Sequence, residues 1–189
     1  MNKRVKSNTI RIIAGQWRGR KLPVLDSPGL RPTTDRVRET LFNWLMHDVA
    51  GATCLDLFAG TGALGLECLS RGAKGVQFVE SDKRVAEALK ANILTLGTSD
   101  SASVLEQSAM GFLACGAKTQ FNLVFLDPPF QAGLLAPAIK LLHTNNWLGE
   151  GAMVYIEQSV SDPTLVLPSN WQLYRDRTAG QSHFSLYTV

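Results

Sequence analysis

Three groups of residues have the types and spacing that chemistry needs. The first is CLDLFAGTGALG at 54–65, in which Gly60, Gly62 and Gly65 keep a G-x-G-x-x-G spacing between an apolar run and a helical stretch. Glycine lets a backbone turn sharply and approach a ligand closely. Nicotinamide- and flavin-binding proteins share that triplet, so alone it names no ligand. Asp56 sharpens it: dinucleotide binders usually keep an apolar residue there, whereas a carboxylate can accept hydrogen bonds from an ammonium group or from amides of the loop. Phe58 lies between Asp56 and the glycines and is counted with the ligand-facing turn. The second group is Glu80, fifteen residues after Gly65 at the end of the next apolar run. An acid at the carboxyl end of that strand can hold both hydroxyls of a ribose. Ser108 and Ala109, where the following strand gives way to a helix, fall near an adenine in such sheets. The third group is Asp127-Pro128-Pro129-Phe130, 71 residues after Asp56. Prolines fix φ and lack amide hydrogens, so this turn offers acceptors, the Asp127 carboxylate and the Pro128 carbonyl, without competing donors. Two acceptors can hold the two N–H groups of an exocyclic amine and free its lone pair from the base ring, while Phe130 stacks on the base. A stiff turn with a helix-capping Asp would spell the same letters. What favours chemistry is its place, where a second substrate would meet the ligand of the glycine turn.

The elements that must position these groups alternate regularly. Apolar runs at 53–58, 75–80, 103–106, 121–126 and 152–157 read as strands, and 63–71, 109–115 and 134–143 as helices. A further helix runs to about residue 96, capped by Ser81 or Asp82. This rhythm calls for an α/β fold with a parallel sheet covered on both faces. Residues 171–177 and 183–189 are strand-like, and the short link between them leaves no room for a helix, so they pair antiparallel. The expected sheet is seven-stranded and mostly parallel, with one antiparallel strand at the end.

The first 38 residues differ in character. They hold ten Lys and Arg against two acids, a local charge of +8, while the other 151 residues carry −5 of the net +3. Such asymmetry suggests a polyanionic partner. Ile10, Ile12, Ile13, Trp17, Leu22, Val24 and Leu25 interleave with the charges, the pattern of a folded segment rather than a solvated tail. Runs at 9–14 and 21–25 around a turn at 15–19 predict a β-hairpin. A helix capped by Thr33 or Thr34 should run to about residue 48, with Val37, Leu41 and Leu45 on one face. The division is therefore a basic arm, 1–32, and a catalytic body, 33–189. The apolar fraction of 45% and charged fraction of 19% are those of a globular chain. There is no apolar run of membrane-spanning length, and no signal-like N-terminus. Cys54, Cys68 and Cys115 match neither a disulfide framework nor a zinc site and read as buried thiols of a reducing cytoplasm. His47, His143 and His183 have no ligand-like spacing, and no metal is expected.

Taken together, RIIAGQWRGRKL at 11–22, GLRPTTDRVRETLFNWL at 29–45, the glycine turn, the DPPF turn and GQSHFSLY at 180–187 resemble the RsmD family, bacterial small-subunit ribosomal RNA guanine-N2 methyltransferases with a class I Rossmann-like fold. The resemblance spans nearly the whole chain, with no family signal at 98–103 or 159–170. It implies S-adenosylmethionine (SAM) as methyl donor. The implied acceptor is the exocyclic N2 of one guanine of 16S rRNA, nucleotide position 966, in a largely assembled 30S subunit. The protein is expected to be a cytoplasmic monomer. Asp56, Phe58, Gly60, Gly62, Gly65, Glu80, Ser108 and Ala109 would then hold the donor. Asp127, Pro128, Pro129 and Phe130 would hold the base, and Arg18, Arg20, Lys21, Arg31, Thr33, Arg36 and Arg38 the RNA. From the residues alone, three alternatives stay open. One is a DNA adenine-N6 methyltransferase, for whose recognition domain 189 residues leave little room. Another is an NAD-dependent oxidoreductase, which gives the DPPF turn no role. The last is a non-catalytic RNA binder. Neutralising Arg18, Arg20 and Lys21 together is expected to weaken RNA binding and flatten its dependence on salt. An unchanged salt slope in filter binding would remove the arm from the RNA site.

Overall fold

Successive residues of a strand face opposite sides of a sheet, so a strand apolar at every position must be covered on both. The central runs of this chain are of that kind. A computed structural model describes residues 9–25, 34–129 and 133–189. Its elements are β1 (Thr9–Arg11), β2 (Lys21–Pro23), α1 (Asp35–Trp44), β3 (Thr53–Asp56), α2 (Ala63–Ser70), β4 (Gly75–Glu80), α3 (Lys83–Leu96), β5 (Ala102–Glu106), α4 (Ala109–Ala114), β6 (Phe121–Leu126), α5 (Leu135–Thr144), β7 (Leu148–Ser159), β8 (Gln172–Ala179) and β9 (Ser182–Thr188). β1 and β2 form the expected hairpin. The other seven strands make one sheet in the order β5-β4-β3-β6-β7-β9-β8. β3 to β7 are mutually parallel. β9 is antiparallel to both β7 and β8. The antiparallel strand is thus last in the chain but not at the sheet's rim. It slips between β7 and β8 because its residues Phe184 and Leu186 are apolar enough to be buried, whereas β8 is exposed along nearly its whole length.

Alternate residues of the central strands feed two cores. Cys54 of β3, Leu123 and Phe125 of β6 and Tyr155 of β7 join α1, α2, α3 and the hairpin on one face. Leu55, Val124, Leu126, Val154 and Ile156 join α4 and α5 on the other. The helices stop where tertiary burial takes over. Thr34 caps α1 by accepting the Val37 N–H at 3.3 Å. The helix ends at Trp44 instead of near residue 48, because the chain turns there to bury Val49 and Ala52 on the way into β3. Asp82, not Ser81, caps α3 through the Arg84 and Val85 N–H groups.

The hairpin is built into this framework. Ile10, Ile12 and Leu22 are buried in the first core, whereas Leu25 is exposed. The seam runs along α2. Glu67, fully buried, accepts the Ile13 N–H at 2.8 Å and the Ala14 N–H at 3.0 Å. Its Oε1 also accepts Arg71 Nε at 2.8 Å. Gly15 lies so close to α2, at φ +80°, that a Cβ would come within 1.8 Å of the Ser70 carbonyl oxygen. Cys54 and Cys68 are buried, but Cys115, expected to be buried, is exposed at the end of the short helix α4. Removing one member of a buried ionic cluster leaves the others uncompensated, at a cost of about 3–5 kcal/mol. Glu67→Ala is expected to lose stability on that scale in urea denaturation. A loss below about 1 kcal/mol would show that the seam is not what holds the hairpin.

Candidate active site

The loop after β3 is threaded between its two neighbouring strands. The Leu57 N–H donates to the Phe125 carbonyl of β6 at 3.2 Å, and the Ala59 N–H to the Val79 carbonyl of β4 at 3.0 Å. The chain then turns through Gly60 and Gly62, both at positive φ, into α2. A Cβ on Gly65 would come within 2.2 Å of the Phe78 ring, so α2 packs against β4 closer than a side chain there allows. Asp56 Oδ2 accepts the Gly65 N–H at 3.0 Å and ties the end of β3 to the first turn of the helix. The loop-tying role open to Asp56 from its sequence position is therefore filled. Burial pushes the Asp56 carboxyl up to about 7; the Gly65 bond opposes this, and the Glu80 charge adds to it. Glu80 closes the loop from the other side. Its Oε2 accepts the Gly60 N–H at 2.8 Å, and its Oε1 the Asp82 N–H at 2.7 Å. Each carboxylate oxygen has a second lone pair, so Glu80 can still accept from a ligand. Ser108 caps α4 by accepting the Gly111 N–H at 3.1 Å.

The two turns singled out in the sequence border one cavity of about 630 Å³. Asp56, Phe58, Gly60 and Glu80 line it, with Ser108 and Ala109 at the β5 end and Asp127, Pro128 and Pro129 beyond β6. Its size lies within the roughly 300–1,000 Å³ of small-ligand sites. Gly62 and Gly65 shape the loop behind the wall and are not part of the lining. Phe130, Arg31 and Thr33 fall outside the described residues. Arg18, Arg20, Lys21 and Arg36 are exposed. Arg38, expected on the RNA surface, is instead only 2% exposed. It donates to the Arg11 carbonyl at 2.9 Å and to Asp35 Oδ1 at 2.6 Å, and lies 4.0 Å from Glu67. Its charge is spent inside the seam, where no phosphate can reach it. Among the described residues, no group of three or more His, Cys, Asp or Glu could hold a metal ion. No helix there is long and apolar enough to cross a membrane.

Several cavity residues were not among the site residues expected from the sequence. Thr34 and Val37 come from the cap and first turn of α1, Ala179 and Ser182 from either side of the β8–β9 turn, and Glu157 from β7, two residues before its end. Glu157 did carry a signal, since it ends an apolar run as Glu80 does. Ala179 and Ser182 carried none, because only the insertion of β9 beside β7 brings their turn to the cavity.

Residues 10–188 match the family described as Conserved hypothetical protein 95. Ribosomal RNA small subunit methyltransferase D of Escherichia coli K12 is 54% identical over 181 residues, covering 96% of this chain and 90% of that protein. The Haemophilus influenzae protein of the same name is 53% identical, covering 94% and 93%. The chain belongs to the RsmD family. Among solved structures, yhhF from Escherichia coli superposes on this family member with a TM-score of 0.89 at 51% identity, covering 96% of this chain and 98% of that one. SMU.776, solved with SAH, superposes with a TM-score of 0.75 at 14% identity over all of this chain and 57% of that one, a likeness in fold alone. The RsmD-family chain thus has the methyltransferase architecture, with its cavity at the carboxyl edge of the sheet.

Between about pH 4 and pH 7 the folded protein keeps a proton on Asp56 that the unfolded chain has released, so stability falls as pH rises through that window. Asp56→Asn removes this titration and keeps an acceptor for the Gly65 N–H. Urea denaturation from pH 4 to pH 8 should show wild-type stability falling by up to about 4 kcal/mol more than that of the variant. Parallel profiles would contradict a protonated Asp56.

Proposed function

We propose that the protein transfers a methyl group from SAM to the exocyclic N2 of one guanine of 16S rRNA, nucleotide position 966, within an assembled 30S subunit. The observation that carries the reading is the shared cavity: the glycine turn and the Asp127-Pro128-Pro129 turn wall the same space. Relatives at 54% and 53% identity that are named ribosomal RNA small subunit methyltransferase D support the class of reaction and of substrate. The donor set suits SAM. Asp56 and Glu80 offer carboxylates to an ammonium group and to ribose hydroxyls, and Phe58, Ala109 and Met110 offer apolar ground to an adenine. SAH in the fold neighbour SMU.776 agrees with that assignment.

Bound SAM supplies a methyl carbon already activated by its positive sulfur. The chain's task is then to position the acceptor, and orientation alone can contribute about 7–11 kcal/mol. A guanine turned out of its stack enters the cavity. The Asp127 carboxylate and the Pro128 carbonyl accept its two N2–H bonds and hold the nitrogen toward a tetrahedral shape, with the lone pair aimed at the methyl carbon. Asp127 is the acceptor for the proton that N2 gives up. Outside the cavity, the exposed Arg18, Arg20, Lys21 and Arg36 grip phosphates. An oxidoreductase would leave the acceptor turn in the cavity wall without a part.

Asp127→Ala is expected to abolish turnover and leave SAM affinity nearly unchanged, as measured with radiolabelled SAM on 30S particles from cells lacking the protein. Mass mapping of the 16S rRNA after addition of the wild-type protein should find the new methyl on guanine N2. Wild-type turnover in the variant would refute the role of Asp127, and methylation of DNA in preference to subunits would favour an adenine-N6 activity.

A further inference from the structure

We propose that Glu157 selects the acceptor base by accepting the N1–H of guanine beside the amine held by Asp127. The inference rests on the guanine-N2 reading above and adds the residue that tells guanine from other purines. Leu126 of β6 stands opposite Ile156 of β7 in a parallel pair, so Asp127, the first residue past β6, lies level with Glu157, which β7 still holds in the sheet opposite Phe184 of β9. Neighbouring strands lie about 4.8 Å apart, a spacing that lets two acceptors meet adjacent donors on one base edge. Both residues line the cavity.

Glu157 is 5% exposed and held in place. The Tyr155 O–H donates to its Oε2 at 2.8 Å. Tyr155 is itself locked against the Phe125 and Phe184 rings at 6.2 and 6.3 Å between centroids. Burial and the charges of Glu157 and Asp127 push the Tyr155 phenol up, so it remains a donor. A carboxylate has about four acceptor positions and no donor, so one phenol bond leaves Glu157 able to accept from a ligand. Packing this acceptor-only group beside Asp127 matches a base edge that presents adjacent donors. Guanine does so, with N1–H next to the N2 amine. Adenine and 2-aminopurine present a lone pair at N1, which a buried carboxylate repels. Sites built to hydrogen-bond one group reject analogues lacking it by as much as about 10⁴–10⁵-fold.

The test uses 30S particles reconstituted on 16S rRNA that carries either guanine or 2-aminopurine at the mapped acceptor position. The 2-aminopurine keeps the amine and loses N1–H. Wild-type protein is expected to prefer guanine by more than about 100-fold in kcat/KM. Glu157→Gln, whose amide can donate to N1, should narrow the ratio below about 10-fold with SAM affinity unchanged. A wild-type ratio near one, or an unchanged ratio in a variant that binds SAM, overturns the proposal. Should the variant fail to bind SAM, the wild-type ratio decides alone, a value above about 100 supporting the proposal. Absence of any methyl on guanine N2 with wild-type protein would instead mark failure of the underlying reading.

Discussion

The pairing of β3 with β6 is the constraint on which the site depends. Cys54, Leu55 and Asp56 lie in register with Leu123, Val124 and Phe125, although nearly 70 residues separate them in the chain. From β3 the sheet grows one way through β4 and β5, and the chain then crosses back to lay β6 on the other side of β3. At such a reversal the loops leaving adjacent strands diverge to opposite faces and open a crevice at the carboxyl edge. Here one of those loops carries the glycines and the other carries Asp127 and the two prolines. Both cores lock the pair, since alternate residues of β3 and β6 are buried on each face. A register shift of one residue would exchange the faces and pull the turns apart.

The charge distribution divides the work. Along the carboxyl edge, Glu80 and Asp56 end β4 and β3, Asp127 follows β6, and Glu157 lies two residues before the end of β7; all four acids border the cavity. That lining suits ligands that bring positive charge or N–H donors. The basic side chains of the hairpin, Arg18, Arg20 and Lys21, are exposed and lie outside that lining. Glu67 joins the two regions. Its buried carboxylate takes up two hairpin amides and Arg71, and the neighbouring Arg38 reaches back to Arg11 and Asp35. The arm is therefore fastened to α2, the helix that starts in the glycine turn, which couples its placement to that of the cavity.

The differences between expectation and structure come from burial. Arg38 reads as one more cation in a basic segment, but the distant Glu67 and the nearby Asp35 draw it into the interior. Cys115 follows an apolar stretch, yet α4 is too short to bury its last turn. The helix expected to reach residue 48 stops at Trp44 because Val49 and Ala52 have a core to enter. Only the pull of Glu67 on Arg38 comes from far along the chain; the other two outcomes turn on which nearby residues find a core to enter, and the local pattern records neither.

Much was already legible in the amino-acid order. The strand and helix alternation, the two-sided burial of the central strands, the hairpin and the glycine-rich and proline turns all follow from patterns a few residues long, because propensity, periodicity and turn chemistry act locally. Family membership was legible too, since motifs spread along the chain recur together. Only the tertiary structure decided that the two turns share one cavity, that β9 intrudes between β7 and β8 to bring Ala179 and Ser182 there, and that Glu157 stands beside Asp127. The same holds for which cations stay exposed. These are matters of strand order and of burial against distant residues, and strand order is set by how the whole set of apolar faces is covered at once.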